Sequence, residues 1–320
     1  MSIERILLAT DFSGPAERAE AYACVLAERW GAKLTVLTVL EFDPGLSLES
    51  PVVQMYLGEM SKQAQSALET VRMRIAGRGI AVETQMGRGI PSKAIVAAAE
   101  AQHTDCLVVG SSGKSGLEHV LLGSTAERVI RTAPCPVLAV PPKREHLQGN
   151  TEQAVAMRPS LKKMLIPVDF SDCSLDALEY GVVMARAMCA SMTLLHVLEP
   201  VFYGLDFTLV SSHGRQRRDV IERRLADTAQ AIRAAGVSCD FMVRGGLPND
   251  SILEVARSLP ADWLVMGTHG RRGLAHALYG SVVEFVLRQS PCPILTVRSP
   301  KFRPSHRCVP KALSVEEGLS

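Results

Sequence analysis

The sequence predicts a doubly wound α/β protein made of two copies of one domain, and three observations carry that prediction. First, the chain repeats itself: Ile6-Leu7-Leu8-Ala9-Thr10-Asp11-Phe12-Ser13 returns as Met164-Leu165-Ile166-Pro167-Val168-Asp169-Phe170-Ser171. The register holds through Tyr22 and Tyr180, Ala27 and Ala185, and Val39-Leu40-Glu41 and Val197-Leu198-Glu199, always 158 positions apart. From Gly89-Ile90-Pro91 with Gly246-Leu247-Pro248 to Pro134-Cys135-Pro136 with Pro291-Cys292-Pro293 the offset is 157, so one net residue was lost or gained between. A period this long is no solenoid; it is a duplicated domain. Second, short runs rich in β-branched residues and leucine recur between turn signals, as central parallel strands do. Third, helical patterns fill the intervals between these runs, and such alternation with short connections makes a parallel sheet covered on both faces.

In the first copy the runs at residues 3–10, 33–40, 80–87, 105–110 and 136–140 read as strands. Between them, Met60, Ala64, Ala67, Val71 and Ile75 recur at spacings of three and four, the apolar stripe of an amphipathic helix. Ile221, Leu225, Thr228 and Ile232 repeat that stripe in the second copy. The domains span residues 1–141 and 162–298, with a connector at 142–161 marked by Pro142, Lys143, Gly149 and Asn150. Residues 299–320 form a C-terminal tail with no counterpart after the first copy.

Composition narrows the function classes. A chain of 320 residues with 47% hydrophobic and 21% charged residues is globular in make-up. Aromatics are scarce at 5%, so aliphatic residues must build the cores. The net charge of +2 gives no basic footprint for nucleic acid. No stretch reaches the ~18 uninterrupted apolar residues of a membrane span, and the start Met1-Ser2-Ile3-Glu4-Arg5 does not read as a secretory signal. The eight cysteines contain no Cys-x-x-Cys pair, which leaves zinc knuckles and thioredoxin-type redox motifs without support. They read as small buried hydrophobes in a reducing cytoplasm.

The sharpest motif follows the fourth strand of each copy. It is Gly110-Ser111-Ser112-Gly113, nine residues, then Gly123-Ser124; in the second copy, Gly267-Thr268-His269-Gly270, nine residues, then Gly280-Ser281. Glycines just past a strand let the backbone turn and approach a ligand without a Cβ in the way. Successive N–H groups there make an anion nest, and a following helix N-terminus adds more donors for a phosphate. Ser124 with Glu127, and Ser281 with Glu284, also fit capping boxes, so these serines serve as helix caps in the simpler reading. Gly113-Lys114-Ser115 is not a Walker loop, because Val108 stands where that motif needs glycine. Lys114, Arg271 and Arg272 read as loop cations within reach of a phosphate. His119 and His276 occupy matching positions but come with no metal-ligand cluster. Thr38 stands opposite His196, so no shared catalytic role rests there.

The other end of the site is the Asp-Phe-Ser turn after the first strand. Asp11 and Asp169 stand where a carboxylate accepts hydrogen bonds from ribose hydroxyls. In the alternative they only form the turn, with Ser13 and Ser171 capping the next helix.

With these residues in view, the chain resembles a tandem universal stress protein. The resemblance rests on the two Asp-Phe-Ser turns, the Gly-x2-Gly-x9-Gly-Ser loops, and Pro-Cys-Pro-Val-Leu or Pro-Cys-Pro-Ile-Leu before the last strand. It implies two Rossmann-like domains of the adenine nucleotide α hydrolase type, each with a five-stranded parallel sheet, and ATP held with or without Mg2+. By resemblance Asp11 and Asp169 face the adenosine, and Val39 and Val197 contact adenine. Gly110, Gly113, Gly123, Ser124 and Thr125 line the phosphate end in copy one, and Gly267, Gly270, Gly280, Ser281 and Val282 in copy two. The family often has proline and valine where Ala9 and Thr125 stand; Pro167 and Val282 keep that pattern, so copy two is the closer match.

The resemblance further implies pairing of the last strands, 136–140 with 293–298, as an internal pseudo-dimer, and further homo-oligomerisation. The expected function is a cytoplasmic ATP-binding stress-response regulator that works through conformation and an unknown protein partner. The alternatives are a weak ATPase or nucleotide-processing enzyme, and a ligand-free assembly module. No nucleophile and base pair is evident, so catalytic residues are expected to be absent.

Overall fold

The computed structural model describes residues 2–41, 50–113, 122–142, 159–200, 207–269 and 280–298, the stretch 207–214 by its backbone alone. The predicted connector falls almost wholly outside these residues. So do the tail, Gly270, Lys114, Arg271, Arg272, His119 and His276. The chain divides into two compact units between Pro159 and Ser160.

In unit one, strands β1 (Arg5–Ala9), β2 (Lys33–Leu40), β3 (Val82–Arg88), β4 (Cys106–Gly110) and β5 (Val137–Val140) alternate with four helices. These are α1 (Gly14–Trp30), α2 (Pro51–Ala76), α3 (Pro91–Ala101) and α4 (Ser124–Thr132). All pairings are parallel, in the order β3-β2-β1-β4-β5. The central strands are covered on both faces: β1 and β4 bury nearly every residue, whereas the edge strand β3 alternates half-buried and exposed positions. That contrast is what an aliphatic run inside a sheet and a mixed run at its edge should produce.

Unit two repeats the plan with β6 (Lys163–Pro167), β7 (Ser191–Leu198), β8 (Cys239–Gly245), β9 (Trp263–Gly267) and β10 (Ile294–Val297). Its helices are α5 (Asp172–Met188), α6 (Phe207–Ala234), α7 (Pro248–Ser258) and α8 (Ser281–Gln289). The order is β8-β7-β6-β9-β10, again all parallel. In each sheet the strand order reverses beside the first strand, between β1 and β4 or between β6 and β9. Ligands of open α/β sheets bind outside the carboxyl ends of the strands at such a point. No described helix is long and apolar enough to cross a membrane.

Among the described residues most cysteines are buried, as expected, while Cys308 lies outside the described residues. Cys24, Cys106, Cys173, Cys239 and Cys292 are buried, and burial pushes the Cys24 thiol up to about 11 and the Cys239 thiol up to about 12. Cys135 is half-buried. Cys189 departs from the expectation: it is exposed, because it caps α5 in the left-handed conformation at φ 50° and faces solvent. Its counterpart after α1 is Gly31, at φ 63°. Left-handed backbone costs an L-residue roughly 1–2 kcal/mol, partly offset by the extra unfolded-state freedom of glycine. Cys189→Gly therefore stabilises unit two by about 1 kcal/mol, read as a higher urea midpoint at unchanged m-value. A lower midpoint would contradict this account of the cap.

Candidate functional site

The site begins at the carboxyl end of β1. Phe12 sits at φ 61° and Phe170 at φ 63°, a strained conformation for a bulky residue. Side chains hold this turn. Thr10 Oγ1 accepts from the Phe12 N–H at 3.0 Å, and Asp11 Oδ1 accepts from the Ser13 N–H at 3.0 Å and the Ser13 hydroxyl at 2.5 Å. Asp169 Oδ1 repeats the last two bonds with Ser171, at 2.9 and 2.6 Å. The turn-forming role of both aspartates is thus real and occupies one carboxylate oxygen of each. The cap expectation holds for one serine: Ser171 accepts from the Ser174 N–H, whereas Ser13 makes no such bond.

The glycines divide by what surrounds them. A Cβ on Gly110 would lie 3.1 Å from the carbonyl carbon of Pro15, and one on Gly267 would lie 2.5 Å from the carbonyl oxygen of Cys173. These two let a strand end press against the first turn of α1 or α5. Helix–strand packing is thus one reason for glycine at both positions, and Gly110 also lines the cavity of unit one. Gly113 is different, since a Cβ there would stand 2.9 Å from Asp11 Oδ2. It brings the loop against the carboxylate. The loop is closed at its base by the Gly123 N–H donating to Ser111 O at 2.7 Å, as Gly280 does to Thr268 O at 2.9 Å.

The capping-box reading is overturned. Gly123 and Gly280 hold the extended N-cap positions, and Ser124 and Ser281 are already the first helical residues. An N1 side chain cannot reach its own N2 or N3 amide as a cap does. No side-chain cap therefore covers the amides at the start of α4, where the helix dipole places a partial positive charge.

In unit one these parts surround a cavity of about 710 Å³. Its lining includes every site residue predicted there: Asp11, Val39, Gly110, Gly113, Gly123, Ser124 and Thr125. Nucleotide-sized ligands occupy cavities of roughly 300–1,000 Å³. The chemistry is graded along it. Ala64, Ala67 and Leu37 give an apolar wall, Asp11 a carboxylate, and the α4 N-terminus a partial positive charge. Among the described lining residues there is no lysine or arginine. The sequence reading missed Thr38 and the helical wall of Met60, Gln63, Ala64 and Ala67. The only available signal was the smallness of Ala64 and Ala67 on a stripe that otherwise reads as core.

In unit two, Gly267 ends β9, Gly280 caps α8, Ser281 is exposed, and Val197 and Val282 are half-buried. Asp169 keeps its turn. The surroundings differ. Phe170 is buried beneath the Arg224 guanidinium, whose Cζ lies 4.1 Å from the ring centroid. His196 is buried, with Nδ1 2.6 Å from Val168 O and its ring 5.4 Å from that of Phe170.

Comparison with known proteins agrees with the two-unit division. The profile of the universal stress protein family matches residues 2–141 and 160–298. A universal stress protein of Mycolicibacterium smegmatis is 25% identical over 304 residues, covering 92% of this chain and 96% of that protein. The Methanocaldococcus jannaschii universal stress protein MJ0531 is 36% identical over 144 residues, 44% of this chain and 85% of that protein. Among solved structures, a universal stress protein from Archaeoglobus fulgidus superposes with a TM-score of 0.69 at 23% identity, covering 92% of this chain and 98% of that one.

Proposed function

We propose that this chain, which belongs to the universal stress protein family, binds ATP in the cavity of unit one and reports its occupancy to a protein partner in a cytoplasmic stress response. The observation that carries the reading is the convergence of Asp11, Gly113 and the α4 N-terminus on one 710 Å³ cavity at the sheet's switch point. Adenine packs against the apolar wall, Asp11 accepts from ribose hydroxyls, and the phosphates lie on the amides of Gly113 and α4. Mg2+ enters as a companion of the phosphates, since it keeps most of its waters and needs few protein ligands. The chain acts as a binder and not as a catalyst. Homo-oligomerisation and the partner belong to the same proposal.

Isothermal titration of the full chain with ATP, with and without Mg2+, tests it, alongside native mass spectrometry for copurified nucleotide. Saturable binding supports the reading, and absence of both signals sinks it. Phosphate release at the ~1–10³ s⁻¹ typical of enzymes would replace a binder with an ATPase.

A further inference from the structure

We infer that the chain takes one nucleotide, in unit one, because the matching space in unit two is filled by that unit's own side chains. The inference rests on the nucleotide reading above and adds its stoichiometry and place. Sequence pattern alone pointed the other way, with Pro167 and Val282 making copy two the closer match.

The two units can be compared position by position. Ala64, Leu68, Val71 and Ile75 of α2 are buried, and so are Ile221, Leu225, Thr228 and Ile232 of α6, which fixes the helix register at the 157 offset. Three residues that line the cavity of unit one then have larger counterparts. Thr38 becomes His196, Ala64 becomes Ile221 and Ala67 becomes Arg224. Together these add about a dozen non-hydrogen atoms, more than a purine ring holds, and close-packed interiors leave no slack for both. Ser112 and Val109, also on the lining, become His269 and Met266.

The added atoms are held in place. Arg224 lies over the Phe170 ring at 4.1 Å, an attractive cation–π placement. His196 is 4% exposed and bonded through Nδ1 to Val168 O, and Ile221 is 7% exposed. The Phe170 ring is 6% exposed between arginine and histidine, while Phe12 is only half-buried beside its cavity. A base entering unit two must therefore displace a guanidinium from its ring and a histidine from its hydrogen bond. In unit one nothing comparable stands at Thr38, Ala64 and Ala67.

Native mass spectrometry and calorimetry of the full chain with ATP give the test. The expected result is one ATP per chain. Ala67→Arg with Thr38→His, which transplants the filler, should lower affinity at least 100-fold. Arg224→Ala with His196→Thr and Ile221→Ala should raise the stoichiometry towards two. Two ATP per native chain, or undiminished binding in the transplant, overturns the inference while leaving the nucleotide reading intact. A readout without nucleotide separates the two claims. If the side chains fill unit two, Arg224→Ala with His196→Thr lowers the thermal midpoint, and an unchanged midpoint overturns the filling. A chain that binds no ATP yet shows this loss sinks only the nucleotide reading.

Discussion

Gly267→Ala should destabilise unit two by about 3 kcal/mol or more, the upper range for overpacking a core. The added Cβ would stand 2.5 Å from Cys173 O, 2.7 Å from its carbonyl carbon and 2.9 Å from its Sγ. Two of these atoms are backbone in the first turn of α5, so no rotamer change relieves the contact. Either β9 or the helix must move, and Gly267 is fully enclosed at the end of a buried strand. Two other glycines set the scale. Gly110→Ala meets the Pro15 and Ala16 backbone at 3.1–3.2 Å, which needs a shift of a few tenths of an ångström and should cost about 1 kcal/mol. Gly181→Ala also meets an atom at 2.5 Å, but that atom is Ile166 Cδ1, the far end of a side chain that can rotate. Urea unfolding of the three variants should rank Gly267 well below the others. Equal losses at Gly267 and Gly110 would show that backbone contact is not the cause.

Gly113→Val should leave the fold intact and lower ATP affinity at least 100-fold, equivalent to about 2.7 kcal/mol. Gly113 is half-buried at the cavity edge, where its own Cβ would come 2.9 Å from Asp11 Oδ2. The carboxylate cannot swing aside freely, because Oδ1 holds the Ser13 N–H and hydroxyl. Either the loop backs away from the carboxylate or the turn breaks, and both separate the ribose contact from the phosphate donors. Calorimetry at matched thermal midpoints checks this. Unchanged affinity would place the phosphates elsewhere.

The duplication, the strand runs and the two ends of the candidate site were all legible in the sequence, because each depends on local chemistry at fixed spacing. Asp-Phe-Ser is a side-chain-locked turn, and the glycine spacing marks a loop that closes on itself. The reasons behind the glycines were less legible. A strand-end glycine looks the same whether it admits a ligand or a neighbouring helix, and the close contacts with Pro15 and Cys173 were invisible in the sequence. The start of α4 was misread by one residue, since Gly123 and Ser124 both tolerate the N-cap and the backbone chose the glycine. The helical wall was illegible for a different reason. Ala64 and Ala67 share a stripe with Val71 and Ile75, and periodicity does not say where the sheet beneath a helix ends. Motifs therefore pointed to the candidate site, while most of the residues that distinguish the two units there, Ala64 against Ile221 and Ala67 against Arg224, lay on a helix with no motif.

That wall has a mechanical side. Helix α2 runs from Pro51 to Ala76, yet its buried residues begin only at Ala64. Its first half overhangs the cavity and turns Val52, Met55 and Tyr56 outward, each more than 60% exposed. Helices in proteins are held mainly by packing, so this half, with no buried residue, is expected to be the less firmly anchored half of α2. An occupant touching Met60, Gln63 and Ala67 would supply the packing that the protein leaves out. With ATP bound as proposed, the ligand should act as a piece of the core, and amide exchange along residues 51–63 should slow; unchanged exchange would contradict this. The overhanging turns are a lever whose stiffness is set from below.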